Sequence, residues 1–268
     1  MIHALSDAGL RALRHAVCQP LLYGFDFDGT LAPISSNRHT VKVSAPTLRW
    51  LGELAKQVPC AIVSGRALAD VAVRMNGSVH HLIGNHGIES PLASRHLLLK
   101  AERACADWKH QLQSGVGAMI LPGVELEDKR YSLTLHLRGA ENTLEAGANA
   151  LTALRRLTPT PELIEGKYSI NVLPPGHGGK GPATLALMNH LHRTGLFYIG
   201  DEATDETVFS LTKGVAMGVR VGKEEKSRAQ FYLHEQAEVE ELLRLLVQCL
   251  GPCLPYQEGE HAKDARGR

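Results

Sequence analysis

Apolar positions along this chain follow two different periods, and the change between them divides the sequence. Leu5, Leu10, Leu13 and Val17 recur at helical spacing and predict a helix over about 3–17. Pro20 then leads into Leu21-Leu22-Tyr23-Gly24-Phe25, an apolar run that stops abruptly at Asp26. A short run without alternation reads as a parallel strand covered on both faces. The pattern continues with an amphipathic helix over 45–58, carrying Leu48, Leu51, Leu54 and Ala55 on one side. A strand over 60–63, a helix over 67–75 and a short strand over 81–83 follow.

From about residue 95 the character changes. A helix over 95–113 precedes the apolar stretch Gly117-Ala118-Met119-Ile120-Leu121. Residues 131–137 then alternate polar and apolar side chains, the period of a half-buried antiparallel strand. A helix over 141–157 and strands over 162–164 and 168–172 come next. After Pro174-Pro175-Gly176 the first pattern resumes: a helix opening at Pro182 and ending at 193, a strand over 196–199, and a short helix over 205–211. A strand over 215–219 and a last helix over 235–250 complete it. Strands alternating with helices imply βαβ units. The expected class is α/β, a Rossmann-like parallel-sheet core with an inserted α+β domain. The expected boundaries are 1–94 and 175–268 for the core and 95–174 for the insertion, with a flexible tail from about 251.

Composition removes several classes of function. Lys and Arg number 29 against 28 Asp and Glu, a net charge of +1, which predicts neither a nucleic-acid groove nor a polybasic membrane contact. No run approaches the ~18 apolar residues of a membrane helix, and no signal-peptide pattern is seen. The five cysteines show no paired spacing, which argues against a disulfide framework. A reduced, cytoplasmic, soluble protein is expected. The 14 histidines are scattered and read mostly as surface or packing residues; His136, on the alternating strand, stays open between packing and a cleft.

Charge appears where strands end. Asp26 and Asp28 lie two apart just past a buried strand, with Gly29-Thr30 beyond. Two carboxylates there need neutralising, and Mg2+ takes one or two carboxylates together with phosphate oxygens and waters. Asp26 can attack phosphorus as a carboxylate nucleophile. Asp28 can protonate the leaving oxygen and later deprotonate water. Ser64-Gly65-Arg66 and Asn85-His86 also follow strands, and in parallel sheets chemistry gathers at carboxyl ends of strands.

Asp26-x-Asp28-Gly29-Thr30 resembles the first signature of the haloacid-dehalogenase superfamily. Ser64 resembles the second, Lys180 the third, and Gly200-Asp201-Glu202-x-x-Asp205 the fourth. The resemblance implies a phosphatase in which Ser64 hydrogen-bonds the phosphate and Lys180 offsets its charge. It implies Mg2+ held by Asp26, Asp28 and Asp201, with Gly29, Thr30, Glu202 and Asp205 in support. The insertion lies where this superfamily carries a cap.

Within the superfamily the chain is similar to trehalose-6-phosphate phosphatases over 25–31, 64–66, 84–87, 126–129, 136–138, 165–167, 180–181 and 200–209. That similarity implies trehalose 6-phosphate as substrate, with Glu127, Lys129 and Glu165 on sugar hydroxyls. A polyol needs both acceptors and donors, and Arg138 adds a donor. Asn85 and His86 are expected to line the cleft, and Arg66 to steady the phosphate or the cap junction. Glu202 stands where the family often has Asp. Two alternatives stay open: another sugar phosphate such as sucrose phosphate, or a non-catalytic partner of a trehalose-phosphate synthase. The presence of Asp26, Asp28, Lys180, Asp201 and Asp205 speaks against a silent subunit. A monomer is expected, with a functional link to such a synthase.

Overall fold

A computed structural model of the chain describes residues 1–35, 37–115, 117, 120, 122–166, 168–212 and 217–251. The first half of the core runs β1 (Ile2–His3), α1 (Asp7–Ala16), β2 (Leu21–Phe25), α2 (Ala45–Ala55), β3 (Cys60–Val63), α3 (Leu68–Met75) and β4 (His81–Ile83). The middle comprises α4 (Arg95–Gln113), β5 (Glu125–Asp128), β6 (Leu133–His136), α5 (Thr143–Leu154), β7 (Glu162–Gly166) and β8 (Ser169–Leu173). The remainder is α6 (Lys180–His190), β9 (Gly195–Gly200), α7 (Glu206–Phe209), β10 (Met217–Val221), β11 (Phe231–Leu233) and α8 (Glu238–Leu250). Four helices open on a side chain that accepts an otherwise free backbone amide: Ser6 for α1, Ser44 for α2, Ser94 for α4 and Asn142 for α5.

Seven parallel strands form the main sheet in the order β1-β11-β10-β9-β2-β3-β4. β2 sits inside it, which explains its unbroken apolar run: all five of its residues are buried. Tyr23, Phe25, Ile62, Phe197 and Ile199 pack on one face with Leu51 and Leu243, while Leu22, Val63 and Tyr198 face Leu187 and Phe209 on the other. Register matters most for function. Phe25 lies beside Ile62 of β3 and Ile199 of β9, so Asp26, Ser64 and Asp201 leave the sheet at one edge.

The second sheet is antiparallel, in the order β5-β6-β8-β7. Leu133, Leu135, Ile170 and Val172 pack against Trp108 of α4 and Ala146, Ala150 and Leu154 of α5. Pleating turns the alternate residues the other way, so Glu125, Glu127, Thr134, His136, Ser169 and Asn171 share the opposite face.

β2, β3, β4 and α4 match the sequence expectations; α6 opens at Lys180, two residues before the expected Pro182, and ends three residues earlier, and the other helices are shorter by one to four residues at an end. β1, β5 and β11 are additions. β1 and β11 are only two and three residues long, and β5 reads Glu-Leu-Glu-Asp, too acidic to stand out as a strand. The expected features at 118, 119, 121, 215, 216 and 252–268 lie outside the described residues.

Candidate active site

The ammonium group of Lys180, at the start of α6, is buried between two carboxylates. It stands 2.8 Å from Asp26 Oδ1 and 2.9 Å from Asp205 Oδ1. Asp205 is fully engaged elsewhere as well: the Tyr198 hydroxyl donates to its Oδ1 at 2.8 Å, and the main-chain amides of Asp201 and Glu202 donate to its Oδ2. Asp205 therefore acts as an anchor for Lys180 and for the turn after β9. Asp201 accepts from the Thr30 hydroxyl at 3.2 Å. Gly29 has φ +78°, and a Cβ there would run into the Asp201 carboxylate; only glycine allows the two loops this approach.

Carboxylate oxygens of Asp26, Asp201 and Asp205 lie within 4.8 Å of one another. Burial pushes the Asp26 carboxyl well above its ordinary range; Lys180 opposes this in part, and Asp205 and Asp201 add to it. Asp201 is pushed up to about 7, by burial first and then by Glu202 and Asp205. Burial alone would lower the Lys180 ammonium, yet Asp205 and Asp26 hold it well above its ordinary value. One ammonium thus faces a surplus of carboxylates whose donors are all oxygen, which suits a hard divalent cation. Because Asp205 is already spent, Asp26 and Asp201 are the carboxylates free to hold it.

The side chain of Asp28 stands apart from this group. Its two oxygens take Arg66 Nε at 2.6 Å and Nη2 at 2.7 Å, a bidentate pair. Arg66 also donates to Asp70 and to the main-chain oxygen of Arg38. Ser64 is buried, and its hydroxyl accepts the Arg66 amide at 3.1 Å. His86 lies against Gly65, where a Cβ would meet its Cε1 at 2.5 Å. Burial first, then the charges of Lys129 and Lys180, push the His86 imidazole well below its ordinary value. The neutral ring faces the cleft with the Asn171 side chain as its polar neighbour.

Across from this edge stands the polar face of the second sheet, and a cleft of about 560 Å³ separates the two. Glu127, Lys129, Thr134, His136, Arg138 and Asn171 line it, facing Asp26, Asp28, Arg66 and His86. Glu127 bonds His136 at 2.8 Å. Burial would raise the Glu127 carboxyl, but His136, Lys129 and Arg38 together bring it below its ordinary value. Lys129 donates to the Gly65 carbonyl at 3.0 Å, and Arg138 lies over the Tyr168 ring.

Two sequence expectations change. Asn85 is fully buried and shares its amide among Ser132, Glu89 and the Lys129 carbonyl, so it joins the sheets and has no group left for a ligand. Glu165 is exposed and pairs with Ile170, which places it on the helix-facing side of its sheet, away from Glu127. Strand parity puts Asn171 on the cleft side instead, opposite Thr134, whose hydroxyl it accepts at 2.8 Å. Asn171 was accessible from the sequence by alternation within β8, where it stands between the buried Ile170 and Val172. Arg38, a loop residue reaching the cleft, left no signal.

A parallel sheet with Asp26-x-Asp28 at the end of an inner strand, Lys180 and Asp201 beside it, and a second sheet inserted opposite, defines a haloacid-dehalogenase fold. A haloacid dehalogenase-like hydrolase from Bacteroides thetaiotaomicron shares it, with a TM-score of 0.54 at 16% identity over 84% of this chain and 98% of its own. More narrowly, the chain belongs to the trehalose-phosphatase family, whose profile matches residues 24–237. It is 32% identical over 216 residues to the trehalose-phosphate phosphatase of Mycobacterium tuberculosis, covering 75% of this chain and 54% of that one. The chain thus spans about half the length of the curated relatives it matches. The C-terminal domain of the Candida albicans trehalose-6-phosphate phosphatase superposes with a TM-score of 0.72 at 24% identity, over 92% of this chain and 98% of its own. No helix among the described residues is long and apolar enough to cross a membrane.

Proposed function

We propose that this chain hydrolyses trehalose 6-phosphate to trehalose and inorganic phosphate through a phospho-Asp26 intermediate. The observation that carries the reading is Lys180, buried 2.8 Å from Asp26 at the edge of a cleft whose other wall is polar. A carboxylate of Asp26 attacks phosphorus and the bond from phosphorus to the sugar O6 breaks, with a proton from Asp28 reaching O6. Water then attacks the acyl phosphate, Asp28 takes its proton, and phosphate leaves with the Asp26 carboxylate restored. Both Asp28 oxygens carry Arg66 N–H groups, so that pair must open for the proton to move. Lys180 and the Ser64 hydroxyl are assigned to the phosphoryl oxygens.

Mg2+, held by Asp26 and Asp201 with Asp28 nearby in the same loop, would supply positive charge against the phosphoryl group. Residues 95–174 are assigned as the cap, with Glu127, Lys129, His136, Arg138 and Asn171 meeting sugar hydroxyls. A functional link to a trehalose-phosphate synthase in the cytoplasm is consistent with this substrate.

The test is phosphate release from trehalose 6-phosphate against a panel of sugar phosphates, including sucrose phosphate, with Mg2+ and with chelator. Trehalose 6-phosphate should lead the panel and chelation should remove the activity. Asp26→Asn should fold normally and lose at least about a thousandfold in kcat. Residual turnover above that level, free of wild-type enzyme, rules out Asp26 as nucleophile.

A further inference from the structure

Arg38 belongs by sequence to the loop between β2 and α2, on the side of the parallel sheet, yet its guanidinium reaches the other wall of the cleft. Nη2 donates to Glu125 Oε1 at 2.8 Å, and Nε stands 3.8 Å from Glu127 Oε1. That Nε is buried and has no hydrogen-bond partner. The backbone of Arg38 is tied down from the other direction: its carbonyl accepts Arg66 Nη1 at 3.1 Å and Arg74 Nη2 at 3.4 Å. Arg66 in turn holds Asp28. A line of charged and polar groups therefore runs from Asp28 through Arg66 and Arg38 to Glu127, and on to His136.

Magnitudes decide which of its two carboxylates matters. Glu125 is 64% exposed, and an ion pair in that setting is worth little. Glu127 is only 26% exposed, already bonded to His136, and faces the cavity. A shift of about 0.9 Å would bring Arg38 Nε from 3.8 Å to hydrogen-bond distance of Glu127 and satisfy the orphan donor. Bound substrate that draws the two walls together supplies such a shift.

We infer that Arg38 is a positioning residue for sugar recognition: it fixes Glu127 as the cleft closes. The inference rests on the phosphatase reading above. It acts through Glu127, and that dependence is what an experiment can read.

Steady-state kinetics should be measured with trehalose 6-phosphate and with p-nitrophenyl phosphate, which has no sugar to reach Glu127. Arg38→Gln should lower kcat/KM for trehalose 6-phosphate about tenfold, mainly through KM. Its loss on the aryl phosphate should be several-fold smaller. Arg38→Lys should fall between, since a point charge cannot span two carboxylates as a guanidinium does. In a Glu127→Gln background, Arg38→Gln should add less than about twofold. Losses that multiply in the double variant, or equal losses on both substrates, overturn the inference, as does a wild-type KM in Arg38→Gln. Wild-type protein inactive on every sugar phosphate would instead overturn the functional reading, and this inference with it.

Discussion

Lys180 neutralises two carboxylates with a single charge, and Asp201 stands nearby without a cation of its own. That imbalance makes the site sensitive to protons when no metal is bound. Burial, with Glu202 and Asp205 beside it, pushes Asp201 up to about 7, and burial holds Asp26 above its ordinary range as well. Metal ligands must be deprotonated, so on the proposed function a proton would compete with Mg2+ for Asp201 below pH 7. The sign is fixed by this competition: each pH unit below that pKa weakens metal binding about tenfold per displaced proton. The rise in thermal midpoint on adding Mg2+ should therefore be larger at pH 8 than at pH 6. Asp201→Asn should remove most of the rise at either pH. An equal midpoint rise at both pH values would show that Asp201 is not a ligand that must first lose a proton.

At the scale of elements, the segment after β4 does structural work that its composition disguises. Asn85, His86 and Gly87 have φ of 48°, 55° and 109°, a left-handed run that non-glycine residues rarely adopt. Asn tolerates that region better than most, and its buried amide bridges Ser132, Glu89 and the Lys129 carbonyl. Asn85→Ala should therefore destabilise the protein by roughly 2–4 kcal/mol, through the unpaired partners and the backbone together. Urea unfolding checks this, and a loss below about 1 kcal/mol would mean the knot is dispensable. The same segment shows where sequence reasoning runs out. Asn85-His86 after a strand announces a site, but only the fold reveals that His86 faces the cleft while Asn85 turns into the seam. Glu165 and Asn171 make the parallel point in β7 and β8. A glutamate looks the better sugar ligand, yet pleating gives Asn171 the cleft face. In contrast, β2 and β3 were legible to the residue, because burial on both faces demands an unbroken apolar run that polar residues then terminate.

For the whole molecule, the division of labour between the two sheets is what a substrate must bridge. The parallel sheet holds the groups that can act on phosphorus, and the antiparallel sheet holds Glu127, His136, Arg138 and Asn171, which can only reach something several ångströms longer than a phosphate. Each sheet has its own apolar core, so the cleft width is not set by shared packing alone. On the proposed function, closing it would draw on contacts that the far end of the substrate makes. Binding energy from that remote end would then be spent on bringing Asp28, Arg66 and the phosphate into line, and would appear in kcat as well as in KM. Glucose 6-phosphate keeps the phosphate and the first ring but lacks the second. Its kcat/KM should lie at least about a hundredfold below that of trehalose 6-phosphate, with part of the loss in kcat. Glu127→Ala should shrink that ratio, because it harms the disaccharide and has less to remove from the monosaccharide. Equal kcat for the two substrates in the wild-type protein would mean that the second sheet merely adds affinity, and that the cleft reaches its reactive geometry without help from the sugar.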